Sequence, residues 1–169
     1  MNLTKGAIKS REDIIGILSE INDPEIPVVN IVELGIVRDV EIGNGLLEIF
    51  ITPTYSGCPA MHMIKDEIIK KLNARGFPYV IIKTIYSPAW TTEWLSDETK
   101  EKLRQYGIAP PGKQDKVPFV PLTIAIEKIN CPYCGSEKTE LKSRFGSTAC
   151  KSFYYCSSCL QIFEHFKSF

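Results

Sequence analysis

Apolar side chains recur at helical spacing near the start of the chain, in the stretch "SREDIIGILSEI". Four residues share one helical face: Ile14, Ile17, Leu18 and Ile21. Ser10 precedes them and is suited to cap the helix, because its hydroxyl can accept hydrogen bonds from free N–H groups of the first turn. The pattern predicts a helix over residues 11–21, after which the two prolines of "NDPEIPVVN" force an extended path.

The pattern then changes to the alternation that is typical of strands. "GIVRDVEI" and "LLEIFIT" each alternate apolar and polar residues, and the "GNG" between them supplies the glycines that a tight hairpin turn needs. A third strand is predicted at "YVIIKTIY".

Two further helices complete the first part of the chain. Between Pro59 and Arg75 one helical face is apolar, and Gly76 and Pro78 end it. That face consists of Met61, Ile64, Ile68 and Leu72. The stretch "SDETKEKLRQYG" predicts a short helix with Ser96 as its N-cap and Gly107 as its left-handed stop.

The order of these elements predicts an α+β fold, a small mixed sheet with helices packed on it, over residues 1–108. Residues 109–128 contain four prolines and are interpreted as a linker, although "LTIAIEKI" at its end is compatible with a strand. A second, smaller module is predicted over residues 129–169.

Composition and charge narrow the class of protein. The 169 residues are 44% hydrophobic and 24% charged, with 20 acidic side chains against 20 basic ones, which is typical of a globular protein without an overall field for nucleic acid or membrane. The N-terminus lacks the apolar segment of a signal peptide, and no apolar run approaches the roughly 20 residues of a membrane span. We therefore expect a cytoplasmic protein, where closely paired cysteines favour metal binding over disulfides.

The second module carries two C-x2-C pairs at the spacing expected of a zinc site, Cys131 with Cys134 and Cys156 with Cys159. The segment between the pairs is rich in Thr, Phe and Tyr, so a small β zinc ribbon with structural zinc is predicted. A ribbon that binds nucleic acid and a rubredoxin-like iron site are alternatives. Acidic residues interspersed among the basic ones of this module weaken the nucleic-acid alternative.

Two other residues of the module fall outside the C-x2-C pattern. Cys150 lies too far from Cys156 to share a knuckle with it, and is interpreted as a small buried apolar residue. His165 follows the last pair and is interpreted as an ordinary surface or core histidine.

Cys58 stands apart from the other cysteines, between Gly57 and Pro59. Proline favours the first helical position, so Cys58 is predicted at the N-cap itself, where the positive end of the helix dipole would lower the pKa of the thiol. Such a cysteine suits a reactive thiol or a metal ligand, and a cysteine packed for its size is the plain alternative.

Partners for Cys58 are few in the sequence. His62 is four residues away, which is poor spacing for a catalytic Cys–His pair, and no third group is evident to orient it. Asp23 and Glu25 in the "DPEIP" turn are candidate oxygen ligands near the thiolate, with helix termination and solvation as their ordinary explanation. One cysteine cannot hold an iron–sulfur cluster alone, so a second copy in a homodimer or a client protein would supply the remaining ligands.

The quoted motifs carry a resemblance to a known family. "INDPEIPVVNIVELGIVRDVEI" and "ITPTYSGCPA" resemble the small iron–sulfur assembly domain of SufT-type bacterial proteins and of a subunit of the eukaryotic cytosolic iron–sulfur targeting complex. Over nearly the whole chain, five blocks resemble in order those of the PaaD family, also called PaaJ, of bacterial phenylacetate degradation: "TPTYSGCPA", "SPAWTTEWLS", "LRQYGIAPPG", "CPYCGS" and "FGSTACKSFYYC".

The resemblance implies an accessory protein of the multicomponent phenylacetyl-CoA ring epoxidase, which has a di-iron oxygenase and a reductase with flavin and an iron–sulfur cluster. The implied role is maturation of such a metal centre rather than epoxidation, with these subunits and iron–sulfur carrier proteins as partners and a transient iron–sulfur cluster as cargo. By the same resemblance Cys58 is the functional thiol, Asp23 and Glu25 form its acidic turn, and the four paired cysteines bind zinc.

One block separates this branch from the general assembly domain: it contains Trp90, Thr91, Thr92 and Trp94. Its tryptophans are interpreted as core residues, with a client-docking surface as the alternative. The chain departs from the family pattern at His62, where an acidic residue is expected, and at Leu160, where a polar residue or glycine is expected. An assembly or transfer factor is the leading hypothesis, followed by a non-catalytic scaffold and then by a thiol enzyme.

Overall fold

The computed structural model describes residues 10–43, 46–55, 57–112 and 129–168. It divides into two compact units, residues 1–90 and 91–169, each with a sheet of its own. None of the helices in the described ranges is long and apolar enough to cross a membrane.

The first helix, α1, spans Arg11–Leu18 and begins at a complete capping box. Ser10 accepts a hydrogen bond from the N–H of Asp13, whose carboxylate accepts one from the N–H of Ser10 in return. The helix ends three residues before the predicted residue 21, because the chain turns after Leu18 and Asn22 forms a β-bridge with Asn30.

A three-stranded mixed sheet forms the centre of the N-terminal unit. Strands β1 (Val37–Gly43) and β2 (Leu46–Ile51) form the predicted antiparallel hairpin, whose turn residues 44 and 45 lie outside the described part of the chain. Strand β3 (Val80–Thr84) pairs with β2 in parallel, so that β2 is the central strand. Three residues of β2 point into the core: Leu47, Ile49 and Ile51.

The parallel pairing requires a crossover, which helix α2 (Ala60–Ala74) provides. Its buried face is the predicted one: Met61, Ile64, Ile68 and Leu72. At the end of the unit Trp90 is only 5% exposed, and its indole N–H donates to the carbonyl of Leu34 at 2.8 Å. The core interpretation of Trp90 is thus the one the structure supports.

The C-terminal unit opens with helix α3 (Asp97–Gln105), capped by Ser96 and stopped at Gly107, which has φ +90°. A two-residue strand, β4 (Ile108–Ala109), follows. Three antiparallel strands complete the unit: β5 (Thr139–Ser143), β6 (Lys151–Cys156) and β7 (Ile162–Phe166). Strand β4 pairs in parallel with β7, which gives the order β4-β7-β6-β5. The predicted α+β fold with a small β ribbon is confirmed.

The observed division of the chain differs from the predicted one. We expected the first domain to end at residue 108, whereas the two units separate after Trp90. The physical reason is the pairing of β4 with β7, which joins the end of the predicted first domain to the ribbon sheet. Most of the predicted linker, residues 113–128, and with it the strand suggested at "LTIAIEKI" up to residue 128, lies outside the described residues.

Candidate functional sites: the Cys58 loop and the four-cysteine cluster

Cys58 lies on the loop that leads from β2 to α2. The N–H of Thr52 donates to the carbonyl of Ile36 at 2.9 Å, which fixes the start of this loop. The N–H of Cys58 donates to the carbonyl of Tyr55 at 3.3 Å, so a turn leads into Cys58. Gly57 has φ +89° in this turn, a conformation that is strained for any residue with a Cβ atom.

The predicted N-cap position of Cys58 is wrong by one residue. Pro59 occupies the cap, with the helical angles φ −67° and ψ −27°, and it offers no side-chain cap. The predicted lowering of the thiol pKa is also wrong: burial of the half-buried Cys58 raises its pKa, and the negative charges of Glu25 and Asp23 raise it further.

Two hydrogen bonds oppose this effect. The backbone N–H of Ala60 and the hydroxyl of Tyr55 bond to the Cys58 sulfur, and both lower the pKa of the thiol without overcoming burial. Tyr55 was missed in the sequence analysis. Its position three residues before Cys58, with Gly57 between them, is the signal for a tight turn that could have identified it.

The two acidic residues near Cys58 differ in how far they are buried. Asp23 is 6% exposed, and its Oδ1 accepts hydrogen bonds from the N–H groups of Glu25 and Ile26, both at 2.8 Å. One carboxylate oxygen of Asp23 thus fixes the turn, as the structural explanation of this residue requires. Glu25 is half-buried and its charge acts on the Cys58 thiol.

The structure does not bring Cys58, Asp23 and Glu25 into a closed metal-binding group. Among the described residues, only the four paired cysteines form a group of three or more such ligands whose atoms lie within 4.8 Å of one another. His62 is exposed on α2, and within the described ranges no hydrogen bond joins its ring to the Cys58 thiol. What the loop offers is a half-buried thiol beside two carboxylates.

The four-cysteine cluster lies in the C-terminal unit, on two turns of closely similar geometry. In the first turn the N–H of Gly135 donates to the carbonyl of Cys131, and in the second the N–H of Leu160 donates to the carbonyl of Cys156, both at 2.9 Å. Gly135 has φ +73° and Leu160 has φ +61°, so both turns end in a left-handed residue. Leu160 is thus a leucine where the repeated geometry favours glycine.

The spacing of the four sulfurs fits one tetrahedral metal ion. The Sγ atoms of Cys131 and Cys159 are 3.6 Å apart, as are those of Cys134 and Cys156, and all four cysteines are free of disulfides. Four ligands at a zinc–sulfur distance of about 2.3 Å would stand about 3.8 Å apart, close to the observed edges. The donor set and its geometry therefore suit zinc.

Backbone N–H groups point at the sulfurs, as a thiolate site needs. Those of Cys159 and Ser158 lower the pKa of Cys156 to about 6. Burial raises the pKa of Cys131, and it raises that of Cys159 to about 12. The thiols of Cys131 and Cys159 therefore resist ionising beside that of Cys156, and a divalent cation is the group that would stabilise these thiolates together.

The remaining residues singled out from the sequence have structural surroundings. Cys150 is buried, and its sulfur lies 3.0 Å from the hydroxyl of Thr148. His165 is 3% exposed, with Nδ1 3.3 Å from the hydroxyl of Ser152. Both fit the interpretations given them as packed residues.

Comparisons with known proteins match each part of the chain. Residues 11–76 match a family described as iron-sulfur cluster assembly protein, and residues 117–167 match the PaaD zinc beta ribbon domain. An Escherichia coli (strain K12) protein, provisionally named as one of the subunits of 1,2-phenylacetyl-CoA epoxidase, is 44% identical over 92% of this chain and 91% of its own length.

Shorter relatives match a little over half of the chain. A protein of Porphyromonas gingivalis named Fe-S protein maturation auxiliary factor is 32% identical over 57% of this chain and 92% of its own length. A crystal structure of domain of unknown function DUF59 from Bacillus anthracis is similar in fold, with a TM-score of 0.51 and 30% identity over 55% of this chain and 90% of that one.

Proposed function

The chain belongs to the PaaD family of 1,2-phenylacetyl-CoA epoxidase subunits, and from this premise we propose that it is an accessory protein that matures a metal centre of a phenylacetyl-CoA ring-epoxidase system. Its cargo is iron or an iron–sulfur cluster, held in transit by Cys58. The accessory role agrees with the maturation factors among its relatives. Their names concern assembly of metal centres rather than catalysis.

The observation that carries this proposal is the position of the Cys58 thiol beside Glu25 and Asp23. Their charges and the burial of the sulfur keep the thiol protonated, which makes it a weak nucleophile at neutral pH. A bound cation would instead favour the deprotonated sulfur. The same carboxylates attract the cation, and the sulfur loses its proton when the cation binds. The surroundings of Cys58 thus favour a metal-binding thiol over a thiol enzyme.

Cys58 offers one sulfur, and the nearby carboxylates are not arranged as a closed site among the described residues. An open site of this kind suits cargo that must leave again, with the client or a second copy of the chain completing the ligands. The oxygenase or reductase subunits are the proposed clients and iron–sulfur carriers the proposed donors. Homodimerisation stays a prediction.

The four-cysteine cluster has a separate role in this proposal. Cys131, Cys134, Cys156 and Cys159 bind a resident zinc ion. Zinc is redox-inactive, and it would hold the ribbon folded together with the small hydrophobic cluster around Tyr154 and Phe163. We retain the two functional parts predicted from the sequence, an assembly domain and a zinc ribbon.

The first experiment measures iron, zinc and acid-labile sulfide per chain, in protein purified without oxygen. Wild type and Cys58→Ser are compared, with Cys150→Ala as a control that changes a cysteine outside both sites. We expect one zinc in all three proteins, and iron with sulfide only where Cys58 is present. Equal iron and sulfide in Cys58→Ser would remove Cys58 from the proposed cargo site.

The second experiment measures client maturation in cells that lack the endogenous protein. Each variant is supplied on a plasmid, the oxygenase and reductase are purified, and their metal content and epoxidation rate are measured. Cys58→Ser is expected to reduce both, while Cys150→Ala restores them. Full maturation with Cys58→Ser would contradict the transfer role.

A non-catalytic scaffold is the second candidate function, and the exposed ribbon surface described below favours it over a thiol enzyme. A scaffold that merely holds the oxygenase together would need the ribbon but not the thiol. Under this alternative Cys58→Ser leaves maturation unchanged, while Cys131→Ser, which breaks the zinc cluster, abolishes complex formation. The burial of Trp90 already removes one of the two tryptophans considered as docking residues for such a scaffold.

A further inference from the structure

The loop between β5 and β6 presents an aromatic side chain to solvent. Phe145 is 73% exposed, the highest value among the large exposed hydrophobic residues of the described chain. A phenylalanine buries a large apolar area when it is covered, so leaving one exposed forgoes about 2 kcal/mol of favourable burial. A partner that covered Phe145 would recover this burial.

The backbone of Phe145 is held firmly in place. Its N–H donates to the hydroxyl oxygen of Ser143 at 3.1 Å, and the same hydroxyl donates to the carbonyl of Phe145 at 2.8 Å. The next residue, Gly146, donates its N–H to the carbonyl of Lys151 at 2.8 Å. A Cβ atom at Gly146 would lie 2.9 Å from the Lys151 backbone, so this close approach needs glycine.

A largely buried ion pair secures the other side of the loop. Glu164 accepts a hydrogen bond from the N–H of Ser147 at 2.8 Å, and its second oxygen lies 3.1 Å from the ammonium of Lys151. The side chain of Lys151 is only 4% exposed, and burying such a pair carries a desolvation cost. The hydrogen bonds of the loop and this ion pair hold it in one conformation before any partner binds. This order reduces the entropy lost on binding.

Two cations accompany Phe145: Arg144 is its neighbour in sequence, and Lys167 lies near its ring. Arg144 is exposed, and no described carboxylate pairs with it. The ammonium of Lys167 lies 5.4 Å from the centre of the Phe145 ring and donates to the carbonyl of Ala149, again without a carboxylate in the described ranges. We call Arg144, Phe145 and Lys167 the Phe145 surface.

Neighbouring cations are neutralised and do not share this property. Lys142 lies 2.7 Å from a carboxylate oxygen of Glu140, and Lys151 is paired with Glu164. Of these four cations, only Arg144 and Lys167 carry a charge that no described salt bridge offsets, although the whole chain has a formal net charge of zero. A local excess on a neutral protein is the arrangement that selects a partner of opposite charge.

We propose that the Phe145 surface docks an acidic surface of a partner protein, with the ring in an apolar recess and Arg144 and Lys167 paired with carboxylates at its rim. The identity of this partner as a component of the oxygenase system rests on the proposed function. A central aromatic residue with charged neighbours is the usual composition of a binding hot spot. A nucleic acid would require a longer basic track with several stacking rings.

The test measures binding of the full-length zinc-loaded chain to each purified oxygenase and reductase subunit by biolayer interferometry, at low and at high salt. Phe145→Ala and Arg144→Glu are compared with two exposed controls, Tyr86→Ala and Lys138→Glu. Zinc content confirms that each ribbon is folded. Binding of a single-stranded RNA and of a DNA duplex is measured alongside.

We expect Phe145→Ala to weaken binding of one acidic subunit about tenfold or more at both salt concentrations. Arg144→Glu should weaken it about tenfold at low salt, with a smaller effect at high salt, because salt screens exposed charges. Both controls should stay within about twofold of wild type.

Three results would overturn the proposal. The first is that Phe145→Ala and Arg144→Glu bind as wild type does, and the second is that the wild-type chain binds none of the subunits. The third is that the substitutions abolish binding of RNA or DNA but not of a protein of the oxygenase system. Full maturation with Cys58→Ser, while Phe145→Ala still weakens binding, would contradict the proposed function alone, so the two failures are distinguishable.

Discussion

A single tyrosine hydroxyl moderates the environment of Cys58. Burial and the charges of Glu25 and Asp23 raise the pKa of the thiol, and the Tyr55 hydroxyl is one of two hydrogen-bonding groups that lower it. Opposing effects therefore set the pKa of the thiol, and removing one of them should shift this pKa in a known direction.

Tyr55→Phe is expected to raise the pKa of the Cys58 thiol further. At pH 8 the thiolate fraction falls with it, so alkylation of Cys58 by iodoacetamide should slow about three- to tenfold. Mass spectrometry of the peptide that contains Cys58 measures this rate separately from the other cysteines. Tyr86→Phe changes an exposed tyrosine of the same unit and should leave the rate unchanged, whereas an unaltered rate in Tyr55→Phe would show that its hydroxyl does not act on the sulfur.

The two cysteine turns of the ribbon offer a matched pair of substitutions. Leu160 has φ +61° and is 68% exposed, so its side chain gains little to offset left-handed strain. Leu160→Gly should stabilise the zinc-loaded ribbon by roughly 0.5–1 kcal/mol, and Gly135→Ala should destabilise it by about as much. Nothing lies within 4 Å of a Cβ atom at Gly135, so the second effect isolates backbone strain.

The thermal midpoint of the zinc-loaded protein reports both changes. A lower midpoint for Leu160→Gly would mean that the leucine side chain contributes more to the ribbon than its exposure indicates. Zinc content is measured for each variant, so that a change in metal binding is not mistaken for a change in backbone strain.

Among the elements, strand β7 contains a pH-sensitive position. Burial of His165, together with the charge of Lys167, lowers the pKa of its imidazole to about 4. Unfolding returns this group to its ordinary value near 6.5, so the unfolded chain binds more protons between these two values. Stability is therefore retained above about pH 6.5 and lost as the pH falls towards 4.

His165→Phe should remove this dependence. Between pH 7 and pH 5 the wild type is expected to lose about 2 kcal/mol more of unfolding free energy than the variant. Urea unfolding at both pH values, with zinc present, measures the difference. Protonation of the zinc ligands affects both proteins alike, and parallel losses in the two would place the pH sensitivity elsewhere.

The sequence predicted most of the helices and strands, but it did not predict the pairing of strands that lie far apart in the chain. The helices and the hairpin follow from periodicity, caps and turns, as the capping box of Ser10 illustrates. Strand β4 has only two residues and no period, and its pairing with β7 joins segments more than 50 residues apart. The two paired C-x2-C motifs were readable because a metal demands fixed spacing.

The raised pKa of Cys58 could not be read in the same way. Its causes are burial and two acidic residues that precede Cys58 by more than 30 positions. The local signal, a cysteine before Pro59 at the start of a helix, indicated the opposite direction. Local electrostatics favoured a lowered pKa, and desolvation in the folded chain outweighed it.

On the scale of the whole molecule, each unit has its own sheet and core, and among the described residues only the C-terminal one contains the four-cysteine cluster. Removal of zinc with a strong chelator should unfold the ribbon strands and leave α1, α2 and the three-stranded sheet intact. Amide resonances in a nitrogen–proton correlation spectrum measure both units in one sample. Simultaneous loss of resonances from both units would show that the N-terminal unit depends on the metal as well.

The pairing of β4 with β7 also bears on how such chains are assembled during evolution. The N-terminal part occurs in relatives that cover about half of this chain, so it can be inherited alone. A gene fusion that joined the ribbon at the proline-containing segment would leave β4 behind and expose the edge of β7. The breakpoint that keeps the ribbon sheet whole lies upstream of β4, so β4 is expected to be inherited with the zinc-binding strands as one piece.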